Sequence, residues 1–288
     1  MRLLAFGEIL WDVFEDARHI GGATLNIAAH FSLHGGASFI ISALGDDELG
    51  KDALRITRDF GINDSFITIH KDMPTGESIV ALTNEGIPTY RITENVAYDY
   101  IKTDSVLTKE EDVLYFGTLA LRGEHNRKAL TSLIYRADFS EIFADVNLRA
   151  PFIFKDSILI ALQHATILKI SDEELPTLST LALGAEYDYK KAAKILGSNF
   201  DNLKIIIITR GDKGAYLLNT QDGKEYEIAA KKTSVASTVG AGDSFSASFL
   251  YHYTKGESIE NCLDYATRVS SFVVSVPEAV PKYDPMKL

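Results

Sequence analysis

Ser237-Thr238-Val239-Gly240-Ala241-Gly242-Asp243-Ser244-Phe245 is the stretch on which the reading of this chain turns. Two glycines and an alanine place the amides of Gly240, Ala241 and Gly242 where no large side chain blocks an approaching anion. Phe245, Phe249 and Tyr253 follow at helical spacing, so a helix is expected to begin near Gly242 and Asp243. A helix start offers unpaired amides and the positive end of the macrodipole, which suits a phosphate. A carboxylate beside such a site weakens anion binding unless it has a task, and accepting a proton from an attacking hydroxyl is one. Read alone, the segment also fits a glycine-rich turn with Asp243 as N-cap.

Outward from this turn the chain alternates short apolar runs with helical patterns, which predicts an α/β fold around a mostly parallel sheet. Leu3 to Gly7, Ser38 to Ala43, Val113 to Gly117, Ile142 to Val146, Thr166 to Ile170 and Ile205 to Thr209 read as core strands. The unbroken Ile205-Ile206-Ile207-Ile208 predicts a strand covered on both faces. Helices are expected over Thr24 to His34, Leu49 to Phe60, Asn126 to Arg136, Tyr189 to Leu196 and Ile259 to Val274. From Phe66 to Tyr98 the pattern changes to strands and turns. Met73-Pro74-Thr75-Gly76 and Asn84-Glu85-Gly86-Ile87-Pro88 punctuate a hairpin of Ser78 to Leu82 and Thr89 to Ile92.

A second glycine-rich segment lies near the N-terminus: Gly21-Gly22-Ala23-Thr24-Leu25-Asn26-Ile27-Ala28-Ala29, then Gly35 and Gly45. The two segments together resemble both signatures of the ribokinase-type (phosphofructokinase B type) carbohydrate kinases. Lesser matches fall between them in the family's order: Phe116 to Arg122, Asp145 to Arg149, Ser171 to Glu174 and Thr209 to Gly214. The resemblance covers essentially the whole chain, and its wording is most like that of a fructokinase. It implies a single ribokinase-like three-layer domain over 1–288, with a small β-sheet lid made of roughly 12–20 and 66–98. It implies ATP and Mg2+ as cofactors, a sugar as substrate, and leaves open a homodimer through the lid.

The resemblance also implies roles. Asp243 becomes the general base, with the amides of Gly240, Ala241 and Gly242 as the anion hole. Asp12, Gly22 and Asn26 fall at sugar-binding positions, and their chemistry agrees: a carboxylate accepts from two hydroxyls, an amide both donates and accepts, and glycine permits close approach. Asn147 and Arg149 follow a strand, where α/β folds place ligand groups, and join the substrate set. On the nucleotide side stand Lys169, Ser171, Thr209, Gly211 and Gly214; Lys169 reads equally as a solvated strand-end cation. Glu174 falls at the acid associated with magnesium, reached directly or through water. Ser171 replaces the family's Asn, and Ser237 an Asp of the loop that helps bind a monovalent cation in several members. Cation activation is therefore expected to be weak. Glu278 stands where many relatives have glycine, on the adenine side of the cleft.

Other patterns are decoys. Gly45-Asp46-Asp47-Glu48-Leu49-Gly50-Lys51-Asp52 imitates a P-loop, but Asp52 replaces the magnesium-binding hydroxyl and three acids would repel phosphate. It reads as a turn with an acidic helix start. His30 and His34 have metal-ligand spacing without the Glu of a zincin or a third ligand cluster, and read as core or surface histidines. With 29 Lys+Arg against 40 Asp+Glu and a formal charge of −11, nucleic acid is not an expected partner. The single cysteine, Cys262, fits a reducing compartment. No stretch approaches the length of a membrane span and the first residues do not read as a signal peptide. A cytoplasmic protein is expected.

Overall fold

The computed structural model describes residues 1–82 and 88–288, with side chains described outside 80–90 and 286. In chain order the first half holds β1 (Arg2–Phe6), β2 (Leu10–Val13), β3 (Arg18–Gly21), α1 (Ala23–Leu33), β4 (Ala37–Gly45), α2 (Glu48–Asp59), β5 (Asn63–His70), β6 (Gly76–Leu82) and β7 (Pro88–Ile92). The second half holds β8 (Val113–Gly117), α3 (Glu124–Arg136), β9 (Glu141–Asp145), α4 (Lys155–His164), β10 (Ile167–Ser171), α5 (Leu175–Leu183) and α6 (Tyr189–Asn199). It continues through β11 (Ile205–Thr209), β12 (Ala215–Asn219), β13 (Glu225–Ile228), α7 (Ala241–Thr254) and α8 (Ile259–Val274).

Among the described residues nine strands form one sheet in the order β13-β12-β11-β10-β9-β8-β1-β4-β5. Pairing is parallel from β11 to β5 and antiparallel at β12 and β13. Helices cover both faces, as the apolar runs require. In β11, Ile206 and Ile208 join a core under α3, α4, α5 and α6, while Ile205 and Ile207 join the opposite core under α1, α2, α7 and α8. This is the expected ribokinase-like three-layer architecture, and the expected core strands and helices are found with ends shifted by a few residues at most.

The order of the sheet locates the crevice. From β1 the chain steps outward through β4 to β5; from β8 it steps the other way through β9 and β10 to β11. Strand order thus reverses between β1 and β8, and ligands in open α/β sheets bind beyond the carboxyl ends of the strands at such a point.

A second sheet, β3-β2-β6-β7, stands apart from the first. Its bounds differ from those expected for the lid. Phe66 to His70 belong to β5, which pairs parallel with β4 at the edge of the large sheet. The polar alternation there arises because an edge strand has one solvated face, which in sequence looks the same as a half-exposed lid strand. Tyr98 closes the expected range inside a single 3-10 turn, Ala97–Tyr100, packed against the body. The hairpin of β6 and β7 is antiparallel as expected, while residues 84–87 of its turn lie outside the described residues. Leu10, Val96, Tyr98, Leu119 and Phe152 form a small apolar cluster that joins β2 to the body.

Candidate active site

The two glycine-rich segments meet across the crevice. Gly22 caps α1 with a φ of 106°, and a Cβ there would come 2.5 Å from the Glu8 carbonyl, so only glycine lets the turn lie on the end of β1. Gly240 caps α7 in the left-handed region, φ 79°, with Ala279 against it. The helix begins at Ala241, one residue before the expected start. From α1 the buried Asn26 donates its Nδ2 to Oδ2 of Asp243 at 2.8 Å. That bond ties the first motif to the second.

The first helical hydrogen bond of α7 runs from the Ser244 amide to the Gly240 carbonyl at 2.8 Å, so the amides before it have no carbonyl one turn back. Ala241 donates to the Thr238 carbonyl at 3.3 Å, which closes the loop on itself. Among the described residues the Gly240 and Gly242 amides donate to no backbone carbonyl, and Gly242 is exposed.

Asp243 is half-buried. Burial pushes its carboxyl up to about 6; the Asn26 hydrogen bond opposes this, Asp145 adds to it, and Lys169 and Arg149 oppose it. Asp12, on β2 of the small sheet, is also raised by burial, against the Ser78 hydroxyl and the charges of His19 and Arg149. Arg149 is exposed, and among the described residues its side chain donates only to the Leu148 carbonyl, at 3.3 Å; its field reaches Glu8, Asp12 and Asp243. Asn147 holds a left-handed turn, φ 39°, that swings the chain out from the end of β9 toward Arg149.

Lys169 is not a solvated cation. It is buried, and its Nζ pairs with Oδ2 of Asp145 at 2.8 Å. Burial disfavours its charge, yet Asp145, Glu174 and Asp243 together raise its pKa, so it stays an ammonium. A Cβ on Gly242 would lie 3.4 Å from this Nζ, which sets a fixed positive charge beside the α7 turn. Glu174 bridges two strand ends, its Oε1 accepting from the Leu148 amide at 2.5 Å and its Oε2 from the Ser171 amide at 2.8 Å. Ser171 answers by accepting from the Glu174 amide at 3.2 Å. Thr209 ends β11, and its hydroxyl lies 3.5 Å from the Ile170 carbonyl. Gly211 and Gly214 form the turn into β12 with φ of 54° and 91°, and a Cβ on Gly214 would strike the Ile228 carbonyl.

Among the described residues no group of three or more His, Cys, Asp or Glu could hold a metal by itself. His30 and His34 are core histidines, with burial holding them at about 4 and about 3. Asp47 caps α2, as the acidic helix start predicts.

Sequence reasoning missed Glu8, Asp145 and Ser246. Glu8 is buried just past β1, and its Oε1 accepts from the Ala23 amide at 3.0 Å. Burial and the Asp243 charge push it up to about 7, against its own amide, the Ala23 amide and Arg149. Asp145 is opposite Lys169 in the parallel register of β9 and β10, and it also accepts from Ser246 Oγ at 3.3 Å. The available signal was position: each acid sits at the carboxyl end of an apolar strand.

A model of the pfkB family carbohydrate kinases matches residues 3–284. The chain belongs to that family, and it is a carbohydrate kinase. It is 28% identical over 280 residues to fructokinase-2 of Zea mays, covering 89% of this chain and 81% of that protein. It is 26% identical over 291 residues to 5-dehydro-2-deoxygluconokinase of Listeria innocua serovar 6a, covering 94% and 86%. Its fold matches aminoimidazole riboside kinase from Salmonella enterica, solved with aminoimidazole riboside and an ATP analog. The TM-score is 0.84 at 23% identity, over 100% of this chain and 99% of that one.

Proposed function

We propose that this sugar kinase transfers the γ-phosphoryl group of ATP to a primary hydroxyl of fructose or a close ketose, with Asp243 as general base. One observation carries the reading: a carboxylate raised to about 6 stands in the first turn of α7, held by Asn26, at the point where strand order reverses. A base of that pKa is ionised at neutral pH and still accepts a proton readily. The sugar hydroxyl gives its proton to Asp243 Oδ as its oxygen bonds to the γ-phosphorus. The bond from that phosphorus to the β,γ-bridging oxygen breaks, and ADP leaves. Lys169 and the Gly242 amide face the charge that develops, at no reorganisation cost.

Asp12, Asn26 and Arg149 supply acceptors and donors for vicinal hydroxyls. Because Asp12 is on the small sheet, a sugar bound to it would draw that sheet over the crevice as a lid and exclude water. A divalent ion fits Glu174 only through a shared shell: both its oxygens already accept amides, so phosphate oxygens and water would complete the coordination, as magnesium usually has it. Such an ion would neutralise phosphate charge. Thr209, Gly211 and Gly214 would line the nucleotide.

The Listeria relative favours a second reading, a keto-deoxy sugar acid. Local charge speaks against it, because Asp12 and Asp243 oppose a substrate carboxylate and Arg149 alone would receive it. ADP release measured against fructose, ribose, nucleosides and ketodeoxy sugar acids tests the reading. Fructose is expected to give the highest kcat/KM; a tenfold advantage for another substrate, about 1.4 kcal/mol of transition-state preference, contradicts it. Absence of turnover with every sugar would indicate a binding protein instead, which would have no need of Asp243.

A further inference from the structure

We propose that His30 is a positioning residue for phosphoryl transfer: it holds the strap of residues 277–283 against Gly240 and so fixes the turn at the start of α7. The inference rests on the reading of that turn given above and adds a residue to it.

Asn26 and His30 stand one turn apart on α1 and share a face. Asn26 holds Asp243; His30 holds the strap. His30 Nε2 is 2.9 Å from the Ala279 carbonyl and Nδ1 is 2.8 Å from the Tyr283 hydroxyl. A carbonyl only accepts, so Nε2 carries the proton, and Nδ1 accepts from the Tyr283 O–H. The ring is fully buried and neutral, which keeps this single tautomer in place at physiological pH.

Among the described residues, residues 277–283 exchange no backbone–backbone hydrogen bond with the rest of the chain. Among the described residues, both hydrogen bonds that anchor the strap end on the His30 ring, while Val280 and the buried Pro281 add apolar contact. What the strap presses on is the turn itself. The Ala279 carbonyl would be 2.4 Å from a Cβ on Gly240, so backbone lies directly on backbone at the α7 N-cap. Without His30, Ala279 has no polar tether and Gly240 has no fixed wall. Displacement of catalytic groups by about 1 Å can cost on the order of 10²-fold in rate. The sugar-side group on the same helix, Asn26, is held by a separate bond, to Asp243.

The test uses His30→Leu, His30→Gln and Tyr283→Phe in the full chain. Steady-state ADP release gives kcat and KM for ATP, and the fluorescence of Trp11, the only tryptophan and the neighbour of Asp12, reads fructose binding. His30→Leu is expected to lower kcat/KM for ATP by roughly 10- to 100-fold with fructose affinity held. His30→Gln should recover most of this, since a carboxamide can donate to Ala279 and accept from Tyr283. Tyr283→Phe should lose a few-fold in the same parameter, and it carries the test if the leucine variant does not fold. Unaltered ATP kinetics in His30→Leu or Tyr283→Phe, or a loss of fructose affinity by Trp11 fluorescence as large as the loss in kcat/KM for ATP, would overturn the proposal. Asp243→Asn is measured alongside. Normal turnover there would sink the catalytic reading itself, whereas an inactive Asp243→Asn beside normal His30 variants removes only the strap.

Discussion

Two glycine-rich turns carry an aspartate into a helix in this molecule, and only one of them has the makings of a reactive group. The turn at 45–52 looks more like a phosphate loop in sequence, yet its aspartate is consumed by structure. Asp47 Oδ1 accepts from the Gly50 amide at 2.7 Å and the Thr75 hydroxyl at 2.7 Å, and Oδ2 accepts from the Thr75 amide at 2.8 Å. Burial would raise its carboxyl, but these donors, with Lys51, bring it below the ordinary value. Among the described residues Asp243 has a single side-chain donor, Asn26, from a helix far away in sequence, and its carboxyl rises to about 6. Glycine content does not separate the two turns. The number of local donors on the carboxylate does, because a base must keep lone pairs free and a pKa near the working pH.

The comparison is tested most severely by removing the two carboxylates in turn. Asp243→Asn keeps size and shape but removes the proton acceptor, so turnover is expected to fall by roughly 10²–10⁴. ATP affinity should hold or improve, since a negative charge near the phosphates is gone; calorimetric titration of ATP and fructose checks this. Gly240→Ala comes next. A side chain there meets both the left-handed φ and the Ala279 carbonyl. Stability should drop by about 1–2 kcal/mol from the backbone alone, with kcat/KM for ATP reduced by roughly 10- to 100-fold as the turn shifts. Denaturant unfolding and steady-state kinetics separate the two effects. Asp47→Ala should do the reverse of Asp243→Asn: lower the unfolding free energy by about 1 kcal/mol through the lost cap and leave turnover near wild type. A collapse of turnover at matched folding would show that the first turn is not merely structural.

Much of the fold could be read from the chain because its strands are buried on both faces and stand out as unbroken apolar runs, Ile205 to Ile208 above all. The boundary of the small sheet could not. Asn63–His70 alternates as a lid strand would, and only pairing with β4 reveals it as the edge of the large sheet. The candidate site divides in the same way. Gly22, Asn26 and Asp243 are marked by glycines that fix their backbone, but the contact between Asn26 and Asp243 spans 217 positions and has no local signature. Lys169 looked free because its partner, Asp145, is set by the register of β9 on β10. Glu8 escaped notice since a lone acid after a strand is common, and what distinguishes this one is burial under the Gly22 turn.

The pH dependence of kcat/KM for fructose bears most directly on the claim that the Asp243 carboxylate is the base. A carboxyl raised to about 6 is protonated below that pH, so activity should be full above it and fall tenfold per pH unit below it. Glu8, raised to about 7 and within reach of the same charge, couples to this titration, so the apparent value belongs to the cluster. An acid limb centred near 6 is expected in the wild type and should disappear from the residual activity of Asp243→Asn. A wild-type profile that stays flat down to pH 5, or a limb that persists unchanged in Asp243→Asn, would contradict it.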